Sequence, residues 1–257
     1  MQPHRSEYWL FPKIENWDIF KERVSKVCGA IRAAVEGEDT DCELVSVDEK
    51  TSIQAKKRIA KDQSMDKGRL RRLEGEYKRN GSRCLTGAFS VGEGKVVNHV
   101  LSEERKEKDF LSFIKGTVEV LSEKREIIFM LDQLNTHRSA SLVEWIAEKN
   151  GYKGELGKKG CRGILKSMKS RQEFLERPEH RIKFLFTPRH CSWLNPIEIW
   201  FGKLQRHVIR YGNFEGVEDL IQKIENYIVY YNKCLVKKLN WKFEGFTKDI
   251  PIEHIKG

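Results

Sequence analysis

Short apolar segments alternate along the chain with longer segments whose apolar residues recur at helical spacing. The short segments predict strands, because they are brief, rich in β-branched and aromatic residues and bounded by turn-forming residues. The predicted strands cover residues 44–48, 83–91, 95–101, 127–132 and 182–186. The predicted helices cover residues 17–36, 103–121, 140–148, 164–174 and 214–231, and a further helix follows residue 195.

The order of these elements indicates the fold class. Gly92, Glu93 and Gly94 separate two strands and predict a hairpin turn. The strand 127–132 is continuously apolar, which suits a central position covered on both faces. Strands interleaved with amphipathic helices are typical of an α/β domain, here a mixed five-stranded sheet flanked by helices.

The segment after the last predicted strand combines helix-start signals with a carboxylate. Asn195 is a good N-cap, and Pro196 suits the first helical position. Glu198 then falls in the first turn, where the helix dipole favours a negative charge. The buried face of this helix is predicted to consist of Ile197, Trp200, Phe201 and Leu204.

Three acids occupy comparable places, since Asp48 and Asp132 each end an apolar strand and Glu198 begins the helix. Open α/β sheets bind ligands at the carboxyl ends of their strands. Carboxylates that meet there repel, and a divalent cation such as Mg²⁺ removes that cost. Two such ions would suit in-line displacement at phosphorus. We therefore hypothesise metal-dependent cleavage and joining of DNA; the alternative is that each acid only forms a turn or caps a helix.

Charge points to a polyanionic partner. The chain has 257 residues, a formal net charge of +10 and an isoelectric point of about 9.2, which favours nucleic acid or an anionic membrane surface. The sequence contains no apolar run that predicts a membrane span and no signal peptide, so we expect a cytoplasmic protein. Residues 49–80 are strongly polar and predict an extended arm, which is either a solvated charge run or a phosphate-binding surface. The arm's candidate DNA contacts are Lys56, Lys57, Arg58, Arg71, Arg72 and Arg79.

The six cysteines are widely scattered and form no Cys-x-x-Cys pair, which predicts reduced thiols rather than a zinc finger or a disulfide framework. Cys191 follows His190 directly, which raises the hypothesis of a cysteine hydrolase. This hypothesis is disfavoured, because such dyads are normally assembled from distant chain segments.

Three strings of sequence carry a resemblance to a known family. They are residues 45–55 with Asp48, residues 129–137 with Asp132 and residues 186–198 with Glu198, and they occur in the family's order. Together they resemble the catalytic domain of a DDE transposase of the mariner superfamily, from the branch found in bacterial insertion sequences. Residues 4–13 also resemble the linker of that branch.

The resemblance implies a ribonuclease-H-like fold in which Asp48, Asp132 and Glu198 bind two Mg²⁺ or Mn²⁺ ions. It implies hydrolysis at the transposon end, followed by attack of the freed 3′-hydroxyl on target DNA. The expected partners are double-stranded DNA and a second copy of the chain. Further residues expected to support the metal site or contact DNA are Asn135, His137, Asn195 and Arg189.

Two departures from the family's pattern leave alternatives open. The sequence begins at the linker, so we expect the helix-turn-helix region to be missing or separately encoded. The interval from Asp132 to Glu198 is long, with a basic insertion near residues 150–180. The predicted domains are therefore a linker and helix at 1–40, the catalytic domain at 41–235 and a tail at 236–257. The alternatives are an inactive or truncated DNA-binding protein and a nuclease without strand transfer. The expected location of the protein is the bacterial cytoplasm, in association with the nucleoid.

Overall fold

A computed structural model describes Ile14 and residues 16–246, and it places them around one mixed five-stranded sheet. The strand order is β3-β2-β1-β4-β5. The β1–β2 and β2–β3 pairs are antiparallel, whereas β1–β4 and β4–β5 are parallel. The strands are β1 (Cys42–Arg58), β2 (Tyr77–Ser90), β3 (Lys95–Ser102), β4 (Glu126–Leu131) and β5 (Ile182–Phe186).

Helices cover both faces of this sheet, as the alternation of elements predicts. The α-helices are α1 (Trp17–Glu36), α2 (Glu107–Val120), α3 (Ala140–Lys149), α4 (Met168–Leu175), α5 (Ile197–Leu204) and α6 (Val217–Tyr230). Short 3₁₀ turns cover Thr136–Arg138, Ile164–Lys166 and Ser192–Leu194, and π-helical turns extend α5 over Gln205–Ile209 and α6 over Tyr231–Leu235.

The sheet separates apolar clusters on its two faces. Helices α2, α3 and α4 pack on the first face, where Val45 and Val47 of β1 point. Helix α1 covers part of the second face around Leu44, and α5 with α6 covers the rest. Because successive side chains of a strand point to opposite faces, Ser46 and Asp48 lie on the second face with Leu44.

Strand β1 is longer than predicted. It does not end at Asp48 but continues to Arg58, and it pairs with β2 down to Arg58 and Tyr77. The prediction of a loop over residues 49–80 is therefore wrong for both flanks, and only residues 59–76 form a connecting tip. Ile53 and Ala55 are buried beneath α5 and α6, which stabilises the extension. In the sequence, the neighbouring lysines made the alternation of apolar Ile53 and Ala55 with polar residues hard to recognise.

The first helix and the C-terminal segment follow the predicted pattern. Helix α1 has the predicted bounds and begins at Asn16, whose side chain accepts hydrogen bonds from two backbone N–H groups. Its predicted apolar stripe is buried, and Trp241 and Phe243 of the tail pack against the same cluster. The linker-like residues 4–13 lie outside the described residues.

The basic insertion is partly built into the core. Its first half forms turns, whereas Leu165, Phe174 and Leu175 are buried against α3 and the sheet. The buried guanidinium of Arg171 donates to the carbonyl oxygen of Leu165 at 2.9 Å and to that of Arg138 at 3.3 Å. Only the first half is therefore a surface loop. Among the described residues, no helix is both long and apolar enough to cross a bilayer.

Candidate active site

The three predicted acids come together at one edge of the sheet. The parallel register of β1 and β4 pairs Ser46 with Met130, so Asp48 and Asp132 follow two residues later at the same level. Glu198 is exposed in the first turn of α5, the helix that crosses β1 and β2 above this edge. Asp48 therefore lies in one of two adjacent parallel strands and Asp132 directly follows the other, as a shared site for the two carboxylates requires.

Helix α5 is attached directly to β1 beside Asp48. The Ser46 hydroxyl accepts a hydrogen bond from the backbone N–H of Ile197 at 2.9 Å, and it donates to the Asn195 side-chain oxygen. The Asn195 amide nitrogen donates to the Val47 carbonyl oxygen at 3.0 Å and to a carboxylate oxygen of Asp48 at 3.2 Å. Asn195 was predicted to cap the helix with its side chain; instead Ser46 satisfies the helix N-terminus, and Asn195 connects the helix to Asp48.

Asp48 is buried among other acids. Burial raises the pKa of its carboxyl group, and the negative charges of Asp132, Glu198 and Glu49 raise it further. A hydrogen bond from the Glu49 backbone N–H at 2.8 Å opposes this effect, and the resulting pKa is about 7. The cost of ionising this carboxyl group would fall if a cation were bound beside it.

Asp132 has a partner that Asp48 lacks. Burial alone would raise the pKa of Asp132, but hydrogen bonds from His137 and from the Leu134 backbone N–H, together with the His137 charge, lower it below the ordinary value. The distance from His137 Nδ1 to the Asp132 carboxylate is 2.8 Å. Asp132 is therefore held ionised and in a defined orientation.

His137 bridges two strands from a fully buried position. Its Nε2 atom lies 3.3 Å from a carboxylate oxygen of Glu49 on β1, and its ring centre lies 4.4 Å from that of Phe110. Burial lowers the pKa of His137, but the hydrogen bonds to Asp132 and Glu49 outweigh burial and raise it to about 9. His137 was predicted to support the metal site or to contact DNA, and in the structure it contacts Asp132 directly.

Glu49 was missed by the sequence interpretation. Its side chain is only 6% exposed, and it also lies 3.7 Å from Arg105. The sequence contains one signal that could have identified it. Side chains alternate along a strand, so Glu49 points to the same face as Val45 and Val47, which is the covered first face. Asn135, in contrast, is exposed at the start of the 3₁₀ turn, and its side chain does not cap that turn.

The predicted DNA contacts have unequal surroundings. Arg58 is only 11% exposed and binds Asp62 at 3.0 Å and the Tyr211 carbonyl oxygen at 2.9 Å, so it stabilises the hairpin. Lys57 pairs with Glu215. The other candidates are Lys56 on β1, Arg71 and Arg72 in the hairpin tip, Arg79 on β2 and Arg189 after β5. Of these, Arg71 pairs with Asp62 at 2.8 Å.

Cys191 and His190 do not form a catalytic dyad. Cys191 is buried, whereas His190 is exposed in the left-handed backbone region with φ of 62°. Burial raises the pKa of the Cys191 thiol to about 11, so the thiolate required of a nucleophile is disfavoured.

The donor set at the sheet edge suits a hard divalent cation, because it consists of carboxylate oxygens that repel one another. Within residues 16–246, no group of three or more His, Cys, Asp or Glu side chains is arranged so that it could hold a metal ion. Asp132 is turned towards His137 and Glu198 is exposed, so side-chain movement would be needed to complete such a set.

Comparisons with known proteins concern the family and the fold. A family model described as DDE superfamily endonuclease matches residues 43–221. The crystal structure of the Mos1 mariner paired end complex with Mn is 14% identical, with a TM-score of 0.52, and the match covers 88% of this chain and 60% of that chain. The Mos1 strand transfer complex is 12% identical, with a TM-score of 0.50, and the match covers 90% and 60%.

This chain thus spans 60% of the length of those Mos1 chains. Comparison with curated proteins found no match. At such low identities the structural likeness concerns the fold, and the predicted ribonuclease-H-like arrangement of a mixed five-stranded sheet with flanking helices is confirmed. Since the family match extends over more than half of the sequence, the chain belongs to the DDE superfamily endonuclease family.

Proposed function

We propose that this chain is the catalytic domain of a transposase that cuts DNA and joins it to a target in a metal-dependent reaction. The convergence of Asp48, Asp132 and Glu198 at one sheet edge is the observation that carries this proposal. The three acids also lie within the segment that matches the endonuclease family. The net charge of +10 supports DNA as the substrate.

Asp48, Asp132 and Glu198 would hold two divalent cations, either Mg²⁺ or Mn²⁺. The Mos1 complex with Mn supports this choice. Cations bound by such carboxylates activate the attacking hydroxyl and stabilise the leaving oxygen during phosphoryl transfer. The surrounding residues make the site ready for them, since Asn195 orients Asp48 and His137 keeps Asp132 ionised. Glu198 stands on a helix tied to β1, so its backbone is well positioned while its side chain remains free to adjust.

The substrates are transposon ends and target DNA, both double-stranded. The Mos1 structures are named as paired end and strand transfer complexes, which supports this assignment by family likeness. Pairing two ends would require a homodimer. A bacterial insertion element, with a separately encoded helix-turn-helix subunit and a cytoplasmic, nucleoid-associated location, fits the sequence resemblance.

Nicking of a supercoiled plasmid in Mg²⁺ or Mn²⁺ tests the proposal. We expect metal-dependent nicking by the wild type, and a loss of at least about 10³-fold in Asp132→Ala, because a group that acts directly in the chemistry is removed. Glu148→Ala is the matched control, since Glu148 is an exposed carboxylate on α3 away from the sheet edge. Equal nicking by wild type and Asp132→Ala would reject the assigned site.

Two further outcomes separate the alternatives. DNA binding without nicking, both alone and with an added helix-turn-helix subunit, would favour an inactive transposase-derived binding protein. Nicking without joining of pre-cut ends to target DNA would favour a nuclease that lacks strand transfer.

A further inference from the structure

An open groove of about 240 Å³ runs beside the candidate active site between the second half of β1 and the end of α5. It begins at Lys50, two residues after Asp48, and its other wall begins about two helical turns beyond Glu198. We call this feature the β1–α5 groove. Its polar lining consists of Lys50, Ser52, Gln54, Lys56, Gln205 and Arg210, together with Thr51.

The positive charge of the β1–α5 groove is not neutralised. Lys50, Lys56 and Arg210 line it, no carboxylate does, and none of the three forms an ion pair within residues 16–246. A second groove near the hairpin differs in this respect, because Lys57 and Arg58 are paired there with Glu215 and Asp62. Three cations and no carboxylate therefore line the groove that leads to the active-site acids, whereas two carboxylates offset the cations of the second groove.

The β1 wall of the groove has an irregular backbone. The pairing of β1 with β2 shifts between Lys50 and Ile53, so Thr51 and Ser52 have no partner in the ladder. Ser52 adopts a φ of 56°, which is strained for a residue other than glycine. A bulge of this kind redirects side chains and leaves backbone polar groups unpaired. Consecutive residues from Lys50 to Gln54 can therefore all line one groove.

Exposed aromatic residues stand beside the cations of the groove. The Arg210 guanidinium lies 5.0 Å from the ring centre of Tyr211, which is 56% exposed, and the Lys56 ammonium lies 4.6 Å from that of Tyr77. Cationic grooves combined with exposed rings suit unpaired nucleic-acid strands, because phosphates bind the cations and bases stack on the rings.

We propose that the β1–α5 groove binds the backbone of an unpaired DNA strand and guides that strand to Asp48, Asp132 and Glu198. This inference rests on the proposed function and adds the residues that hold one strand of the double-stranded substrate where it separates from its complement beside the carboxylates. Lys50 and Arg210 supply charge to the phosphates, and the bulge at Thr51 and Ser52 supplies backbone N–H groups.

The test compares the double variant Lys50→Gln/Arg210→Gln with the wild type in equilibrium binding to a fluorescein-labelled single-stranded oligonucleotide. Measurements in EDTA at several salt concentrations exclude cleavage. We expect affinity to fall on the order of tenfold, and the log–log salt slope to decrease by roughly 1.4, because two phosphate contacts are lost. Lys149→Gln/Lys153→Gln is the matched control, since it removes the same charge from exposed lysines elsewhere.

Circular dichroism and thermal melting establish that each variant is folded, and the single variants Lys50→Gln and Arg210→Gln replace the double variant if it is not. An affinity within twofold of wild type, or an equal loss in the control pair, would overturn the inference. Failure of the groove and failure of the catalytic assignment are therefore distinguishable, because binding reports the first and plasmid nicking reports the second.

Discussion

Asp48 and Asp132 are the same residue type at the same edge of adjacent parallel strands, yet their pKa values shift in opposite directions. Asp48 is buried next to other carboxylates, and its polar partners are the neutral Asn195 amide and a backbone N–H group. Asp132 is paired with the imidazole of His137. Burial raises the pKa of both carboxyl groups, Asp48 being the more completely buried, and only Asp132 has a cationic partner that reverses the effect.

The two aspartates therefore differ in what stabilises their ionised forms. Asp132 is held ionised by the protein itself, whereas full ionisation of Asp48 at neutral pH requires a positive charge from outside the chain. A site of this kind is less stable without its cation than a neutral site would be, and it gains stability when the cation binds. Three substitutions test the comparison in order of decreasing expected effect, and a fourth, Asp132→Asn, provides the counterpart to the last of them.

The largest effect is expected from His137→Ala. This change leaves the buried Glu49 carboxylate with Arg105 at 3.7 Å as its remaining charge partner, and it removes the imidazole from Asp132. Removing one partner of a buried ion pair typically costs about 3–5 kcal/mol. Urea unfolding in EDTA at pH 7 measures this cost, with the exposed His190→Asn as control. A loss below about 1 kcal/mol would mean that Glu49 and Asp132 are adequately solvated without the imidazole.

An intermediate effect is expected from Ser46→Ala, which acts on the Asp48 side of the site. The variant lacks the hydroxyl that accepts from the Ile197 N–H and donates to Asn195. The unmet helix N-terminus and the lost hydrogen bond should cost roughly 1–3 kcal/mol. Urea unfolding again provides the measurement, and Ser122→Ala at an exposed serine is the control. If both variants unfold at the same urea concentration, Ser46 does not hold α5 in place.

The smallest effect, and the only stabilising one, is expected from Asp48→Asn in EDTA. The folded-state pKa of about 7 exceeds the ordinary value of 3.8, so the folded protein retains a proton that the unfolded chain releases between these values. Stability attributable to this group therefore falls as pH rises across that window. The variant should melt a few degrees above wild type at pH 8 and close to it at pH 4.

Asp132→Asn should show the opposite sign in the same melting experiment. Its carboxylate has a lowered pKa, so it contributes stability that is fully present above the ordinary value of 3.8 and is lost only as pH falls below that value. The variant should therefore melt below wild type throughout pH 4–8. Parallel melting curves for both variants across pH 4–8 would contradict the comparison between the two aspartates.

Much of the fold could be predicted because local patterns and tertiary packing agree. Strand β5 and helix α1 have the predicted bounds, since both are strongly apolar on the buried side and flanked by clear turn or cap residues. Asp48 and Asp132 are recognisable as a candidate pair from their places after apolar strands and from the family motifs, and the register of β1 and β4 brings them to the same level. In contrast, the second half of β1 is a polar ribbon whose few inward residues depend on α5 and α6 for burial, so its own sequence predicts a loop.

The sequence by itself determined the α/β class, the family motifs and the three candidate acids, because periodicity and motifs are local properties. Only the tertiary structure decided which groups surround each acid. Glu49 reaches His137, and Asn195 reaches Asp48, across separations of 88 and 147 residues. Such contacts depend on strand register and on the attachment of α5 to β1, and neither is encoded in any single segment of the chain.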